Sequence, residues 1–384
     1  MPVPKEYEGR EQSYLKHEVL KHYLSRWGPK LASIGRSRRV KLWYVDCFAG
    51  PWEAQSTTLA DTSIAIGLTE LKAAATSWAN AHVEIGALFV EPDRDAFSRL
   101  NDYLRLHSST IDVQAFNGEF GGHVDEIDRR IGNDPAFLFV DPTGWKGAAM
   151  KFIAPLARRN LRDVLVNVMT NDIQRFHHDP RPFLRAQMQD FFGLNSDKVI
   201  EKLDEEGLIE FNRDRLKQVC DLAFAADLAV PHPTHNRTKF RLVVGGHDKE
   251  VLRVFREAEE HVIGGMANEI RDDAMRRKRE RTSGNLEMAF GPATEEDRRY
   301  EAARSRGEHV AADSILAAVR NGPVRFDALW PPILERQHLT VAALGDVVGN
   351  LRGQGRINVN GWGHRQKKPK DEQIIRASDG PTRP

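Results

Sequence analysis

Four polar residues stand where short hydrophobic runs end. Asp46 closes VKLWYVD (40–46), Glu91 closes ALFVE (87–91), Asn117 follows DVQAF (112–116), and Asp141 closes AFLFVD (136–141). Each run is short and rich in β-branched or aromatic residues, which reads as a buried strand carrying a polar group at its carboxyl end. In an open parallel sheet, ligands bind beyond that edge, where small residues let a ligand approach the backbone. Asp46 is followed by Cys47 and by the turn Phe48-Ala49-Gly50, which suits such an approach. A single glycine is present, so this is not the three-glycine dinucleotide fingerprint. A carboxylate such as Glu91 offers two acceptor oxygens and can take both hydroxyls of a ribose. Asn117, with Gly118 behind it, stands where an adenine ring would be met.

Positioning these groups needs alternating strands and helices. Strand signals recur at 40–45, 82–91, 111–116, 136–141, 163–169 and 240–246. Helical patterns occupy 62–77, 93–107, 121–132, 147–159, 181–192 and 248–262. The alternation predicts an α/β fold over residues 1–265, a Rossmann-like doubly wound and mostly parallel sheet covered on both faces. A leading amphipathic helix over 13–34, with Leu15, Val19, Leu20, Tyr23, Leu24 and Trp27 at helical spacing, is expected to end near Gly28-Pro29. Residues 51–61 read as a polar insertion. Residues 266–306 read as a charged linker with helical pieces, and 307–384 as three helices followed by a hairpin with a basic tip, a winged-helix organisation.

YVDCFAGP (44–51) resembles motif I of class I S-adenosylmethionine (SAM)-dependent methyltransferases, in the DxFAGxG form of enzymes that modify nucleic-acid bases. Trp52 takes the place of the last glycine. Asp141-Pro142 resembles the start of the D/N-P-P-Y/F/W turn of amino-group methyltransferases. That turn offers oxygen acceptors to the target NH2 while an aromatic ring stacks on a flipped base. Here Thr143 replaces the second proline, and the aromatic residue, Trp145, comes one position late. The bland alternative for Asp141 is a helix cap. With Lys16-His17 on the first helix, Thr62-Ser63 at a helix start, FVEPD (89–93), FVDPTG (139–144) and LVVGGHDKEVLRVFREA (242–258), the chain resembles the three-Cys-motif partner (TcmP) family. This is a bacterial group of methyltransferase-like proteins, and the resemblance covers roughly residues 10–265. It implies a Rossmann-like SAM-binding fold with a C-terminal winged-helix-like domain. On this reading Lys16, Asp46, Phe48, Ala49, Gly50, Glu91 and Asn117 hold the cofactor, and Asp141, Pro142 and Trp145 face the substrate.

The net charge of +1 over 384 residues hides an asymmetry. Residues 1–45 carry a balance of +6, residues 266–384 a balance of +4, and the middle about −9. Basic ends around an acidic middle fit an enzyme whose flanks touch a polyanion, although uneven surface charge is an equally good account. Arg276 and Arg277 fit either phosphate contacts or the exposed face of a helix, and Arg356, Arg365, Lys367 and Lys368 lie on the expected wing, suited to phosphate contacts. The helix before that wing is apolar, and a protein partner or a dimer contact is the alternative. His177-His178-Asp179 and His232 with His235 fall short of the three or four converging ligands zinc needs, so no metal is expected. Two cysteines exclude a disulfide framework, no apolar run nears the roughly 18 residues of a membrane span, and a cytoplasmic location is expected. The expectation is a SAM-dependent methyltransferase acting on DNA or RNA. A non-catalytic nucleic-acid or partner-binding protein is the alternative, as is a methyltransferase with a protein or small-molecule acceptor.

Overall fold

The computed structural model describes residues 3–50, 61–78, 81–195, 202–284 and 298–378. Trp52, all but the last residue of the 51–61 insertion, and 285–297 of the expected linker lie outside the described residues.

The chain opens with α1 (Glu11–Ala32), then β1 (Val40–Asp46), α2 (Ser63–Ser77), β2 (Val83–Glu91), α3 (Arg94–Arg105) and β3 (Asp112–Asn117). There follow α4 (Val124–Ile131), β4 (Ala136–Val140), α5 (Met150–Ala157), β5 (Arg162–Val168), α6 (Thr170–Phe176), α7 (Pro182–Phe192) and α8 (Glu205–Cys220). Next come β6 (Phe224–Pro231), β7 (Thr238–Gly246) and α9 (Glu250–Glu259). The seven strands form one sheet in the order β3-β2-β1-β4-β5-β7-β6. β1 to β5 pair in parallel, and β7 runs antiparallel to both of its neighbours. The strand order reverses between β1 and β4, the switch point at which such sheets open a ligand crevice.

Alternate strand residues feed two apolar layers. Tyr44, Phe89, Phe137 and Phe139 pack under α1 and α2, whereas Val45, Leu88, Leu138 and Val166 pack with α4, α5 and α8. Side-chain caps set two helix starts on the ligand edge: Thr62 accepts from Ala65 N (3.3 Å) and Asp93 from Ala96 N (2.9 Å).

The structure corrects the expected end of the first helix. α1 continues through Pro29 to Ala32, because the Pro29 carbonyl still accepts from the Ser33 amide and from Trp78 Nε1 (2.9 Å). Gly28 is what lets α2 lie close: a Cβ there would sit 2.8 Å from that of Ala74. The strand expectations also omitted β6, whose apolar run is interrupted by the buried Asp227. Arg213 Nη1 (2.7 Å) and Arg241 Nε (2.9 Å) donate to that carboxylate and hold its pKa far below the usual range against the cost of burial.

After α9 come a π-helical turn (Glu260–Gly264), α10 (Ala267–Ser283), α11 (Arg299–Arg320), β8 (Val324–Arg325), α12 (Phe326–Arg336), α13 (Val341–Gly353), β9 (Ile357–Val359) and β10 (Ile374–Ala377). β9 and β10 form the expected antiparallel pair, and β8 adds a third strand on the far side of β10. The apolar residues of α13, including Leu344, Val347, Val348 and Leu351, are buried in this module. The α1 layer of the core runs on into it through Leu228, Ile315 and Trp330.

Arg256 on α9 fastens the two parts. Its side chain is fully buried and donates to Leu334 O (2.9 Å), Asp227 O (2.8 Å) and Glu259 Oε2 (2.6 Å). Arg256→Met is expected to lower unfolding stability by about 3–5 kcal/mol, because Glu259 and two carbonyls lose their buried donor. A denaturant midpoint unchanged from that of the parent chain would contradict this clasp.

Candidate functional site

Register alone brings the strand-end groups together. Asp46 pairs with Phe89 on β2 and Phe139 on β4, Glu91 pairs with Asn117, and Asp141 follows directly after β4. Lys16, Phe48, Gly50, Glu91 and Asp141 line one cleft of about 520 Å³ at this edge, together with Ser63, Glu119 and Lys146.

Asp46 lies beneath the cleft floor rather than in its lining. Fully buried, it accepts from Ser63 Oγ (2.6 Å) and Tyr44 Oη (3.3 Å) on one oxygen and from Phe48 N (3.2 Å) on the other. It thus ties the Cys47–Gly50 turn to the start of α2. The turn is also threaded between strands, with Cys47 N on Phe139 O and Ala49 N on Val90 O, both at 2.9 Å. Burial pushes the Asp46 carboxyl up to about 6.

Glu91 ends β2 nearly buried, at 3% exposure, and one of its oxygens accepts from Asp93 N (2.5 Å). Burial also raises its pKa to about 6. The Glu91 carbonyl receives Gly118 N and Asn117 Nδ2, each at 3.0 Å, so Asn117 fixes the adjoining turn. Gly118 holds φ +144°, and a Cβ there would lie 2.8 Å from His123 Nε2.

Across the switch point, Lys16 from α1 forms an ion pair with Asp141 Oδ2, while Asn167 Nδ2 donates to Oδ1 (2.7 Å). Lys16 is therefore held on the Asp141 side of the cleft. Beside it His17 bonds Tyr7 Oη (2.8 Å), and burial lowers its pKa to about 3, leaving the ring neutral near pH 7.

Pro142 is buried behind Asp141. Trp145 is absent from the cleft lining: its ring meets Phe176 at 5.3 Å and its Nε1 donates to Gln187 Oε1 (3.2 Å). Arg276 and Arg277 both pair with Asp273, and Arg277 reaches Glu11 as well (2.7 Å), so these charges are largely met within the chain. Arg356, Arg365 and Lys367 are exposed, while Lys368 pairs with Asp346 (2.9 Å). His177 uses both ring nitrogens internally, with Gln174 O (2.9 Å) and Leu203 N (3.0 Å). Among the described residues no cluster of three or more His, Cys, Asp or Glu is arranged to hold a metal ion, and no helix is long and apolar enough to cross a membrane.

Asn167 escaped sequence reasoning, although a lone amide inside DVLVNVM was its signal. Glu119 also emerges only from the fold, as does the bond of Ser63 to Asp46.

No family model and no curated protein matches the sequence. Matches among solved structures include a conserved hypothetical protein from Streptococcus pyogenes, at 19% identity over 34% of this chain and 70% of that one (TM-score 0.21). Loganic acid methyltransferase with SAH matches at 8% identity over 73% and 92% (TM-score 0.30). An SAH-bound Podospora anserina methyltransferase matches at 10% identity over 65% and 98% (TM-score 0.26). The chain has the Rossmann-like fold of class I methyltransferases, as its strand order with the reversed β7 shows directly.

Proposed function

We propose that this chain is a SAM-dependent methyltransferase whose acceptor is carried by a nucleic acid. One juxtaposition carries the reading: Glu91 stands on one side of the β1 tip and the Lys16–Asp141–Asn167 cluster on the other, around a single cleft. The donor set fits the cofactor. Glu91 has one oxygen committed to Asp93 N and a second for ribose hydroxyls, and the Phe48–Gly50 turn is pinned from below by Asp46. The motif resemblances support the same assignment.

Bound SAM supplies a methyl group activated by its sulfonium, open to in-line attack by a nucleophile. The protein's part is then positioning and exclusion of water. Asp141 is anchored through both oxygens, yet a carboxylate has about four acceptor directions, so it can still receive an N–H or O–H of the acceptor. Lys16 and Asn167 prevent it from swinging away. The basic surface of Arg356, Arg365 and Lys367 supports a polyanionic acceptor.

SAM affinity is expected to rise as pH increases from 5 to 7, with an inflection near 6, because Glu91 accepts hydrogen bonds more strongly once ionised. In the free protein the sign for stability is opposite. The raised pKa values of Asp46 and Glu91 contribute stability that is fully present below about pH 4 and lost as pH rises through about 6. Calorimetric titrations across this range check the first statement, and a flat profile contradicts it.

The function itself is tested by incubating the chain with methyl-labelled SAM and pools of DNA, RNA and protein. Label is expected in a nucleic-acid pool, and its rate of incorporation is expected to fall by at least about 10²-fold with Asp141→Ala. Label confined to protein, or transfer undiminished by the substitution, contradicts the proposal.

A further inference from the structure

Beyond Asp141 the surface changes from acidic to aromatic and basic. Trp145, four residues past Asp141, packs its ring on Phe176 at 5.3 Å and reaches Gln187 on α7 through Nε1 (3.2 Å). Phe183 lies one turn before Gln187 on the same face of α7 and is 58% exposed. Guanidinium groups cover two of the rings, Arg175 over Phe176 (5.2 Å) and Arg181 over Phe183 (5.6 Å). Arg181 is fixed in place by Asp179, which takes its Nε (2.9 Å) and Nη2 (2.8 Å). Arg175 and Arg185 are exposed and form no ion pair among the described residues, and Lys146 links the patch to the cleft.

We propose that Trp145, Phe176 and Phe183, with Arg175 and Arg181, form a stacking platform for unpaired bases that leads a single-stranded nucleic acid to Asp141. This rests on the nucleic-acid reading above and adds the strandedness and the route of the acceptor. Rings and guanidinium planes accept any base face without reading sequence, while exposed arginines meet the phosphates. A duplex, whose bases are already stacked on each other, gains nothing from such rings. None of the platform residues belongs to the basic C-terminal surface, which suits backbone contacts with either form.

The test is fluorescence anisotropy of the full chain with a labelled 12-nucleotide single strand and with the duplex of the same sequence, over a range of salt concentrations. The single strand is expected to bind at least about tenfold tighter than the duplex. Phe183→Ala is expected to weaken single-strand binding about tenfold with little effect on duplex binding or on the salt slope, and Phe183→Tyr to retain it. Arg356→Gln with Lys367→Gln should weaken both forms alike and flatten the slope. Equal binding of both forms, or single-strand binding indifferent to Phe183→Ala, overturns the platform and leaves the methyltransferase reading standing. Binding of neither form by the intact chain overturns the platform and the nucleic-acid acceptor together.

Discussion

Glu91→Ala is expected to weaken SAM binding by about a hundredfold or more while leaving the fold intact. The size follows from hydrogen bonds to a charged acceptor, worth about 1.5–3 kcal/mol each, of which a ribose diol makes two. The fold should tolerate the change because Glu91 supports little else: its only side-chain bond within the described structure is with Asp93 N. Removing a carboxyl whose burial already opposes ionisation costs the free protein little. Glu91→Gln should fall between, since its amide keeps one acceptor oxygen. Asp46→Ala is expected to behave differently. It strands Ser63, Tyr44 and the Phe48 amide beneath the cleft, so a stability loss of about 1–3 kcal/mol should accompany weaker binding. Calorimetry paired with thermal unfolding separates the two. Intact affinity in Glu91→Ala would remove this carboxylate from the ligand site.

Asp141→Ala is expected to reduce methyl transfer by about 10²–10³-fold while changing SAM affinity only slightly. On the proposed reading the carboxylate meets the acceptor, and displacement of a positioned reactant by about 1 Å already costs on the order of 10²-fold. The substitution also leaves Lys16, with only 11% of its side chain exposed, facing no counter-charge, and it frees Asn167. A stability loss of a few kcal/mol is therefore expected, because an unpaired buried cation is expensive. Lys16→Met in the Asp141→Ala background should recover much of that stability and none of the activity. Single-turnover rates and denaturant midpoints on the two variants distinguish the catalytic from the structural part. A rate unchanged in Asp141→Ala places the acceptor elsewhere.

The sheet was legible in the sequence because its strands are short apolar runs punctuated by turns, and because Asp46, Glu91 and Asp141 mark their ends. Where a buried charge interrupts the pattern, as Asp227 does in β6, the signal fails, since its compensating arginines are distant in sequence. The continuation of α1 through Pro29 was likewise invisible: it depends on Trp78 and Ala74 from another helix. Of the cleft lining, residues within motifs, such as Phe48, Gly50, Glu91 and Asp141, were readable as strand-end groups. Lys16 and Asn167 join Asp141 across 125 and 26 residues of chain, a meeting only tertiary structure supplies. The same holds for Trp145. A sequence pattern suggested a ring stacked on a flipped base beside Asp141, whereas the fold sets it outside the cleft lining, against Phe176 and Gln187.

The most direct test of the central claim is a calorimetric titration of the intact chain with SAM at pH 7.5, above the values of about 6 to which burial raises Asp46 and Glu91. Saturable one-to-one binding, lost in Glu91→Ala and largely kept in Asp141→Ala, is the expected result. Absence of binding heat, at several temperatures, from a chain that unfolds cooperatively would contradict the assignment of this cleft to SAM.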